Sequence, residues 1–486
     1  MTLKKELSKG VFWIALAKYS GVLISLGITA ILARHISPVA FGTMAIATVI
    51  MAFLDIFTDL GIGAAIIQFK DLTKHQLNSL FMVGCIVGII LASSLYFFSQ
   101  PVANYYNDEQ LISVCHWFAI SLLFNAFNIV PNGLMLKNKR FKVVSLRTLT
   151  FQIISGAIAI WGALHGWGIY ALIVNPVTTS IGVFIVNFFN YPQKLIINID
   201  FGAVKRVWKY SSFQFLFNVV NYFSRNIDKL IIGKYFSMSN LGYYDKSYRL
   251  MQLPLSNVTH VITPVLHPIL SSLQDDKAQL AQKNTKLATL LSEISFPLGI
   301  ILYFCAGEII EIIFGPNWKP SIPIFKILAV SVPIQVILST SGSIFLASGQ
   351  SKHLFIGGIT NTAITVTGFF IAAIHFKSIE SMAWAWDITI LLGFINTYIL
   401  MNRYTFRSSP TLFLKALTPQ LINSTIVIIL MVCIKNFLTF PNLFISLATT
   451  SLLILLFTVI CAYVLHQYNF IHIAKRVLAK LHNKIP

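Results

Sequence analysis

Long apolar stretches, joined by short polar connections, fill almost the whole chain. A hydrocarbon core of about 30 Å needs roughly 20 consecutive apolar residues in a helix, because an unpaired backbone amide finds no water there. The pattern therefore predicts an all-α polytopic membrane protein with fourteen transmembrane helices. The predicted spans are 11–33, 40–67, 77–99, 111–135, 143–164, 167–190, 210–236, 248–271, 286–314, 322–348, 354–376, 381–401, 412–437 and 441–466.

Two of these spans need comment. Pro297 and Gly299 lie inside the span 286–314, where they are expected to split or kink the helix. The first span follows three lysines, as a signal peptide does, but it is too long for a typical signal peptide and has no obvious small-residue cleavage site. We interpret it as helix one.

An internal repeat organises the predicted helices. The run from Ile31 to Gly42, ILARHISPVAFG, returns 200 positions later as Ile231 to Gly242, IIGKYFSMSNLG. A repeat of six helices keeps both copies in the same orientation, related by an axis along the membrane normal. The expected parts are an N-lobe of helices 1–6 (1–190), a cytoplasmic linker (191–209), a C-lobe of helices 7–12 (210–401), and helices 13–14 with a basic cytoplasmic tail (402–486).

Composition supports a membrane protein and explains the high charge. The chain is 56% hydrophobic and 11% charged, with a formal net charge of +20 and a mean hydropathy of +0.75 that ordinary soluble domains do not reach. When the spans are threaded with the N-terminus inside, 25 of the 36 Lys and Arg residues fall on the inner side, 8 on the outer side and 3 within helices. The positive-inside rule accounts for that division. Both termini are expected in the cytoplasm, and no nucleic-acid role is expected.

The five cysteines are scattered singly in apolar helices, without the spacing of a metal site or a disulfide framework. No metal and no cofactor is expected.

Ionisable residues inside the predicted helices are the first candidates for function. A charge at the centre of a membrane helix costs roughly 3 kcal/mol, so these side chains must face one another or a wet cavity. They are Lys18, Asp55, Asp59, Arg225, Asp228, Lys229, Glu293 and Asp387.

Helix seven carries a polar stripe at helical spacing. Asn218, Asn221, Arg225 and the pair Asp228 and Lys229 follow one another at steps of three and four and share one face. Helix one offers a thinner polar face around Lys18, and helix four has its own stripe of Ser121, Asn125, Asn128 and Asn132. One interpretation is a cavity whose cations bind an anionic ligand. The other is helix association, with Arg225, Asp228 and Lys229 satisfying each other.

Asp55 and Asp59 lie one turn apart on helix two. Two carboxylates that close usually share a proton or a cation, so they are candidates for coupling to a proton or Na⁺ gradient. The alternative is that one of them pairs with Lys18 while the other lies near the interface.

Short motifs complete the sequence picture. The run ILARHISPVAFG, followed by Asp59-Leu60-Gly61 and Ala65-Ile66-Ile67-Gln68, resembles the N-terminal signature of bacterial polysaccharide flippases. These are Wzx-type and colanic-acid-type exporters of the multidrug/oligosaccharidyl-lipid/polysaccharide superfamily. Further matches follow in order at Pro131–Phe141, Asn226–Asp228, Leu241–Tyr244 and Phe314-Gly315 with Trp318.

The resemblance implies two six-helix lobes in a V around a cationic cavity, alternating access, and a cargo carried on undecaprenyl diphosphate. It implies that Lys18 and Arg225, with Lys229, hold that cargo. It also implies location in the bacterial inner membrane and partners that include the lipid-linked glycan, membrane lipids and polysaccharide polymerase machinery. Two acidic residues on helix two depart from the pattern and leave the sign of the cavity charge open.

Two other functions compete with this interpretation. A drug or small-molecule exporter of the same superfamily would share the fold and differ in cargo. A membrane glycosyltransferase, ligase or polymerase would need reactive groups on a sizeable outer loop, whereas the predicted outer loops are short. Their acidic residues are Asp108, Glu109, Asp245, Glu308, Glu311 and Glu380.

Overall fold

The structure is a computed structural model that describes residues 3–271, 274, 276–435, 437, 440 and 442–465. Every regular element within these ranges is helical, which confirms the predicted all-α fold. Two compact units are present: Met1–Asp245 with Ile313–Asn317, and Lys246–Ile312 with Trp318–Pro486. The first unit includes the seventh predicted helix. The predicted lobe boundaries were drawn from the sequence repeat rather than from contacts, and they stay a prediction.

The first unit contains nine complete helices among its described residues. They are α1 (Leu3–His35), α2 (Pro38–Asp59), α3 (Ile62–Gln68), α4 (Lys74–Phe97), α5 (Ser99–Tyr106), α6 (Gln110–Lys137), α7 (Phe141–Leu164), α8 (Ile169–Asn190) and α9 (Phe201–Tyr235). Seven of them correspond to the first seven predicted spans, with α3 and α5 as additional short helices.

Helix α10 (Met238–Ser271) begins in the first unit and continues into the second. The remaining elements belong to the second unit, apart from the few residues around Gly315. They are α11 (Lys277–Phe304), α12 (Ala306–Phe314), a 3₁₀ turn (Pro316–Trp318), α13 (Ser321–Val330), α14 (Val332–Leu338), α15 (Ser341–Ala347), α16 (Ser351–Ile371), a π turn (Ala372–Phe376), α17 (Ile379–Leu400), a second π turn (Met401–Phe406), α18 (Thr411–Lys435) and α19 (Leu443–Val464).

Among the described residues, 11 helices are long and apolar enough to cross a membrane, or 12 if the bent pair Ser321–Val330 and Val332–Ala347 forms one span. The two other long helices, α9 with 35 residues and α10 with 34, are more polar. Both have the length to cross a bilayer, and α9 carries the polar stripe. The chain is therefore a multi-pass membrane protein, and fourteen is an approximate helix count.

Three predicted spans are broken where hydropathy alone shows no break. The span 40–67 ends a helix at Asp59 and restarts at Ile62, because Leu60 (φ 42°) and Gly61 (φ 72°) are both left-handed. The span 286–314 breaks at Cys305. A split at Pro297 or Gly299 was wrong, since both residues lie inside α11, and a kink there stays a prediction. The span 322–348 consists of the three short helices α13 to α15.

Small residues let the helices of the first unit approach closely. A Cβ atom at Gly88 on α4 would lie 2.5 Å from the Cβ of Ala126 on α6, and one at Gly156 on α7 would lie 2.1 Å from Ile28 on α1. Without a hydrophobic driving force inside lipid, such close backbone packing is a main source of helix association.

In the second unit α11 packs against α13, α14, α18 and α19. A buried apolar cluster of Ile300, Phe304, Val427, Met431 and Ile454 joins α11 to the last two helices. A polar contact adds to it, because Glu308 Oε1 accepts a hydrogen bond from Ser446 at 2.8 Å and lies 3.1 Å from Lys435 Nζ. The last two helices, which fall outside the six-helix repeat, are thus held firmly to this unit.

Candidate functional site

The polar face of α9 is partly open. Asn218 and Asn221 are half-buried and Arg225 is exposed, although all three lie within the predicted membrane span. Arg225 makes no salt bridge with any described residue. A guanidinium that no carboxylate neutralises is suited to an anion, which it binds through two parallel N–H donors.

Lys18 is half-buried on α1, whose main neighbour is α7. Side chains of α7 hold the α1 backbone on both sides of the lysine: Ser145 donates to the carbonyl of Trp13 at 3.0 Å, and Gln152 donates to that of Gly21 at 2.7 Å. No described carboxylate forms a salt bridge with Lys18. The predicted alternative, in which Asp55 or Asp59 pairs with Lys18, is thus not the arrangement found here.

Lys229 differs from the other two cations. Its ammonium group lies 3.0 Å from Asp245 Oδ1 on α10, and both side chains are nearly buried. Asp228, beside it, is 1% exposed. Lys229 is thus paired between helices, from α9 to α10. Lys229 therefore has a structural partner, whereas the side chain of Arg225 is exposed.

The two carboxylates of α2 have separate environments. Asn125 on α6 donates to both oxygens of Asp55, at 3.3 and 3.4 Å. Asp59 accepts a hydrogen bond from the amide of Gly63 at 3.2 Å and so caps the start of α3. Either an acid or an amide at position 59 can accept this hydrogen bond, so Asp59 has a structural role at the helix break. Coupling of either residue to an ion stays a prediction.

Two of the acidic residues predicted inside membrane helices, Glu293 and Asp387, lie in the second unit. Glu293 is half-buried on α11. Asp387 on α17 is 7% exposed, and neither of its carboxylate oxygens has a hydrogen-bond partner among the described residues. Both side chains lie inside predicted membrane helices, and Asp387 is the more deeply buried of the two.

Arg147 was missed in the sequence. It lies in the first two turns of α7, close enough to the basic loop before it to be counted with the cytoplasmic charges, yet it is 8% exposed. Its Nη2 donates to Asn132 at 2.8 Å, while Nε and Nη1 have no hydrogen-bond partner among the described residues. Asn187 on α8 donates to Asn128 at 2.7 Å. The asparagine stripe of predicted helix four, which is α6, thus ends in a buried polar cluster that joins α6, α7 and α8. Its members are Asn128, Asn132, Arg147 and Asn187.

The predicted outer ends of the repeat helices are packed together within the first unit. A Cβ at Gly42 would lie 1.8 Å from the carbonyl oxygen of Met238, and a Cβ at Gly242 would lie 2.2 Å from that of Pro38. Nearby, Lys234 donates to the carbonyl of Tyr105 at 2.8 Å. These contacts involve the starts of α2 and α10 and the end of α9.

The described residues contain no group of three His, Cys, Asp or Glu side chains placed to hold a metal ion. The side chains of the candidate site described above are cations, amides and carboxyl groups within membrane helices.

Comparison with known proteins fits this architecture. A sequence profile described as polysaccharide biosynthesis protein matches residues 31–323. The chain belongs to this family. The resemblance stated from the motifs is thereby confirmed.

Individual relatives extend over most of the chain. It is 24% identical over 401 residues to the teichuronic acid biosynthesis protein TuaB of Bacillus subtilis, covering 81% of this chain and 82% of that protein. It is 23% identical to the lipopolysaccharide biosynthesis protein WzxC of Escherichia coli, covering 84% and 83%. It is 22% identical to the succinoglycan biosynthesis transport protein ExoT of Rhizobium meliloti, covering 85% and 83%.

Solved structures share the fold. A lipid II flippase, MurJ, in an inward closed conformation superposes with a TM-score of 0.74 at 16% identity, covering 94% of this chain and 99% of that one. An inward-facing multidrug resistance transporter of the MATE family superposes with a TM-score of 0.60 at 12% identity, covering 79% and 95%. At these identities the likeness concerns the fold alone.

Proposed function

We propose that this protein is a flippase that moves undecaprenyl-diphosphate-linked oligosaccharide repeat units from the cytoplasmic to the periplasmic leaflet. The glycan would then serve a surface polysaccharide such as O-antigen, capsule or exopolysaccharide. The proposal makes the chain a transporter of the bacterial inner membrane with both termini in the cytoplasm, and no enzyme.

The observation that carries the proposal is the pair of membrane-embedded cations, Lys18 and Arg225, that have no carboxylate partner among the described residues. A diphosphate is the anionic part of a lipid-linked sugar, and it would repay the cost of placing these charges in a membrane. Support comes from the shared family, from relatives named for polysaccharide biosynthesis, and from the fold shared with a lipid II flippase.

The site residues divide by environment. Arg225 and Lys18 would bind the diphosphate, and Asn218 and Asn221 on the same face of α9 would offer amide groups to the first sugars. Lys229 would act mainly by fixing α9 against α10 through Asp245. Alternating access would expose these groups first to one leaflet and then to the other.

The test is deletion of the gene followed by analysis of the lipid-linked pool. We expect undecaprenyl-linked oligosaccharide to accumulate on the cytoplasmic leaflet, and the wild-type gene to restore export. An unchanged lipid-linked pool would contradict the proposal.

A small-molecule exporter is the second candidate, because the fold is also shared with a multidrug transporter. In that case, deletion of the gene would cause new drug sensitivity and leave the lipid-linked pool unaffected.

Orientation is tested separately, by impermeant thiol labelling of single cysteines in a cysteine-free background. A cysteine beside Lys139 should be protected from the periplasm, and one beside Asp108 should be labelled. Labelling of the first from outside would contradict the cytoplasmic placement of both termini.

A further inference from the structure

A groove lies where α17 ends and α18 begins, with a volume of about 730 Å³, within the range of about 300–1,000 Å³ that is usual for small-molecule sites. Its walls are apolar over most of their length. Aromatic rings form part of it, since Tyr398 and Phe413 stack with centroids 4.2 Å apart. The apolar lining residues are Phe394, Ile395, Tyr398, Ile399, Phe413 and Leu414.

One end of this groove is cationic. Arg403 and Arg407 line it, both side chains are exposed, and neither forms a salt bridge with a described residue. A π turn over Met401–Phe406 precedes Arg407, which is left-handed with φ 51°.

A second groove in the same unit provides a contrast. It lies between α16 and α17, near the predicted outer end of these helices, and also has a volume of about 730 Å³. Its described lining includes Ile364, Phe376 and Trp384 but no charged residue. Apolar grooves on the surface of a membrane protein are filled by lipid tails in any case. What distinguishes the first groove is the pair of arginines at its predicted cytoplasmic end.

We propose that the first groove binds an anionic phospholipid of the cytoplasmic leaflet. The phosphate group would bind Arg403 and Arg407, and one acyl chain would lie along the apolar walls formed by α17 and α18. Charge complementarity favours this occupant, because the cytoplasmic leaflet carries the anionic headgroups that basic pockets between membrane helices attract. The site is separate from Lys18 and Arg225 and goes beyond the proposed transport.

The test uses the purified full-length protein in detergent, with phosphatidylglycerol and phosphatidylcholine of identical acyl chains as probes and retained lipid measured by native mass spectrometry. Wild-type protein should retain phosphatidylglycerol preferentially. The double variant R403Q/R407Q should bind it on the order of tenfold more weakly, since each surface cation contributes modestly to headgroup attraction. The matched control K283Q/K352Q removes two exposed lysines from the same unit and the same predicted side, and it should bind as wild type does.

A second variant keeps both arginines and fills the groove. Leu414→Trp should weaken phosphatidylglycerol binding while leaving the charges of Arg403 and Arg407 unchanged. This variant tests the proposal even if R403Q/R407Q does not fold. Equal retention of the two phospholipids by the wild-type protein, or unchanged binding in the groove variants, would overturn the proposal. Retention of undecaprenyl phosphate with exclusion of phosphatidylglycerol would also overturn it and would assign the groove to the carrier lipid.

Discussion

Gly42 on α2 and Gly242 on α10 face each other at the crossing of the two helix starts, and they lie one repeat of 200 residues apart in the chain. Each glycine lies against the backbone of the other helix: Gly42 against Met238, and Gly242 against Pro38. Adding 200 to the number of Gly42 gives Gly242, and subtracting 200 from that of Met238 gives Pro38. Each contact is therefore the repeat-related copy of the other. This exchange is what a two-fold relation between parallel repeats produces, and it supports the repeat inferred from the sequence.

The first prediction concerns this crossing. Gly42→Ala and Gly242→Ala should each destabilise the protein, because the added methyl group would overlap a backbone carbonyl that cannot move without shifting a helix. Overpacking of this kind typically costs about 1–3 kcal/mol. Thermal unfolding in detergent measures the effect. Gly27→Ala on α1 is the control, since a Cβ there meets no atom within 4 Å. If all three variants unfold at the same temperature, the crossing is not as tight as described.

The second prediction concerns the buried polar cluster. Asn132→Ala should destabilise the protein more than Arg147→Met, because it removes the acceptor that the buried guanidinium has at 2.8 Å. Leaving a buried donor unsatisfied costs about 1–3 kcal/mol, and more for a charged group. The double variant should recover part of the loss, since the uncompensated charge is then gone. Additive losses in the double-mutant cycle would show that the two side chains do not interact.

Helix spans, the polar stripe of α9 and the family could be predicted from the sequence, because hydropathy, helical spacing and local motifs are properties of neighbouring residues. Pairings between helices could not. Asp245 as the partner of Lys229 requires α10 to turn back along α9. The burial of Arg147 could not be predicted for a similar reason, since it depends on how α6 and α8 cover α7. The break at Leu60 and Gly61 depends on backbone angles within an otherwise apolar run.

The third prediction concerns pH and the last two helices. Burial raises the pKa of Glu308, but hydrogen bonds, including those from Ser446 and Lys435, outweigh burial and lower it below its usual value. A lowered folded pKa means that the stabilisation is present above the unfolded value of about 4.3 and is lost as pH falls through the folded pKa. Glu308→Gln should therefore lower the Tm at pH 7, and the gap to wild type should shrink below about pH 4.

The control is Glu311→Gln, one turn further along α12. Glu311 lies 3.8 Å from Lys319, whose side chain is 61% exposed, so this pair should contribute little. A gap between wild type and Glu308→Gln that does not change with pH would mean that the charge of Glu308 does not stabilise the contact.

The fourth prediction concerns ion coupling through α2. Asp55→Asn and Asp59→Asn should each abolish gradient-driven transport and leave cargo binding largely intact, if these carboxylates carry a proton or Na⁺. The Asp59→Asn variant keeps an oxygen that can accept from Gly63, so the cap on α3 should survive while the charge is lost. Transport by the double variant that retains its full dependence on the gradient would dismiss the hypothesis.

The last prediction separates the three cations of the candidate site. Arg225 and Lys18 have no described carboxylate partner, whereas Lys229 lies 3.0 Å from Asp245. Arg225→Ala and Lys18→Ala should therefore fold normally and bind the lipid-linked diphosphate about ten- to a hundredfold more weakly, since a charge-assisted hydrogen bond is worth roughly 1.5–3 kcal/mol. Arg225→Lys should be milder than Arg225→Ala, because it keeps the charge and loses the planar fork.

Lys229→Ala should behave differently, because it removes the ammonium group that lies 3.0 Å from the nearly buried Asp245, and removing one partner of a buried pair costs about 3–5 kcal/mol. We expect lower thermal stability first and loss of transport as its consequence. Lys229→Met with Asp245→Leu removes both charges and should restore the stability. Binding of the purified lipid-linked oligosaccharide and thermal unfolding, measured on the same preparations, distinguish the two effects. If correctly folded Arg225→Ala and Lys18→Ala proteins bind the cargo as wild type does, these cations do not belong to the cargo site. If the two variants bind poorly but recover when Asp55 and Asp59 are also neutralised, the cations act as ion-pair partners instead.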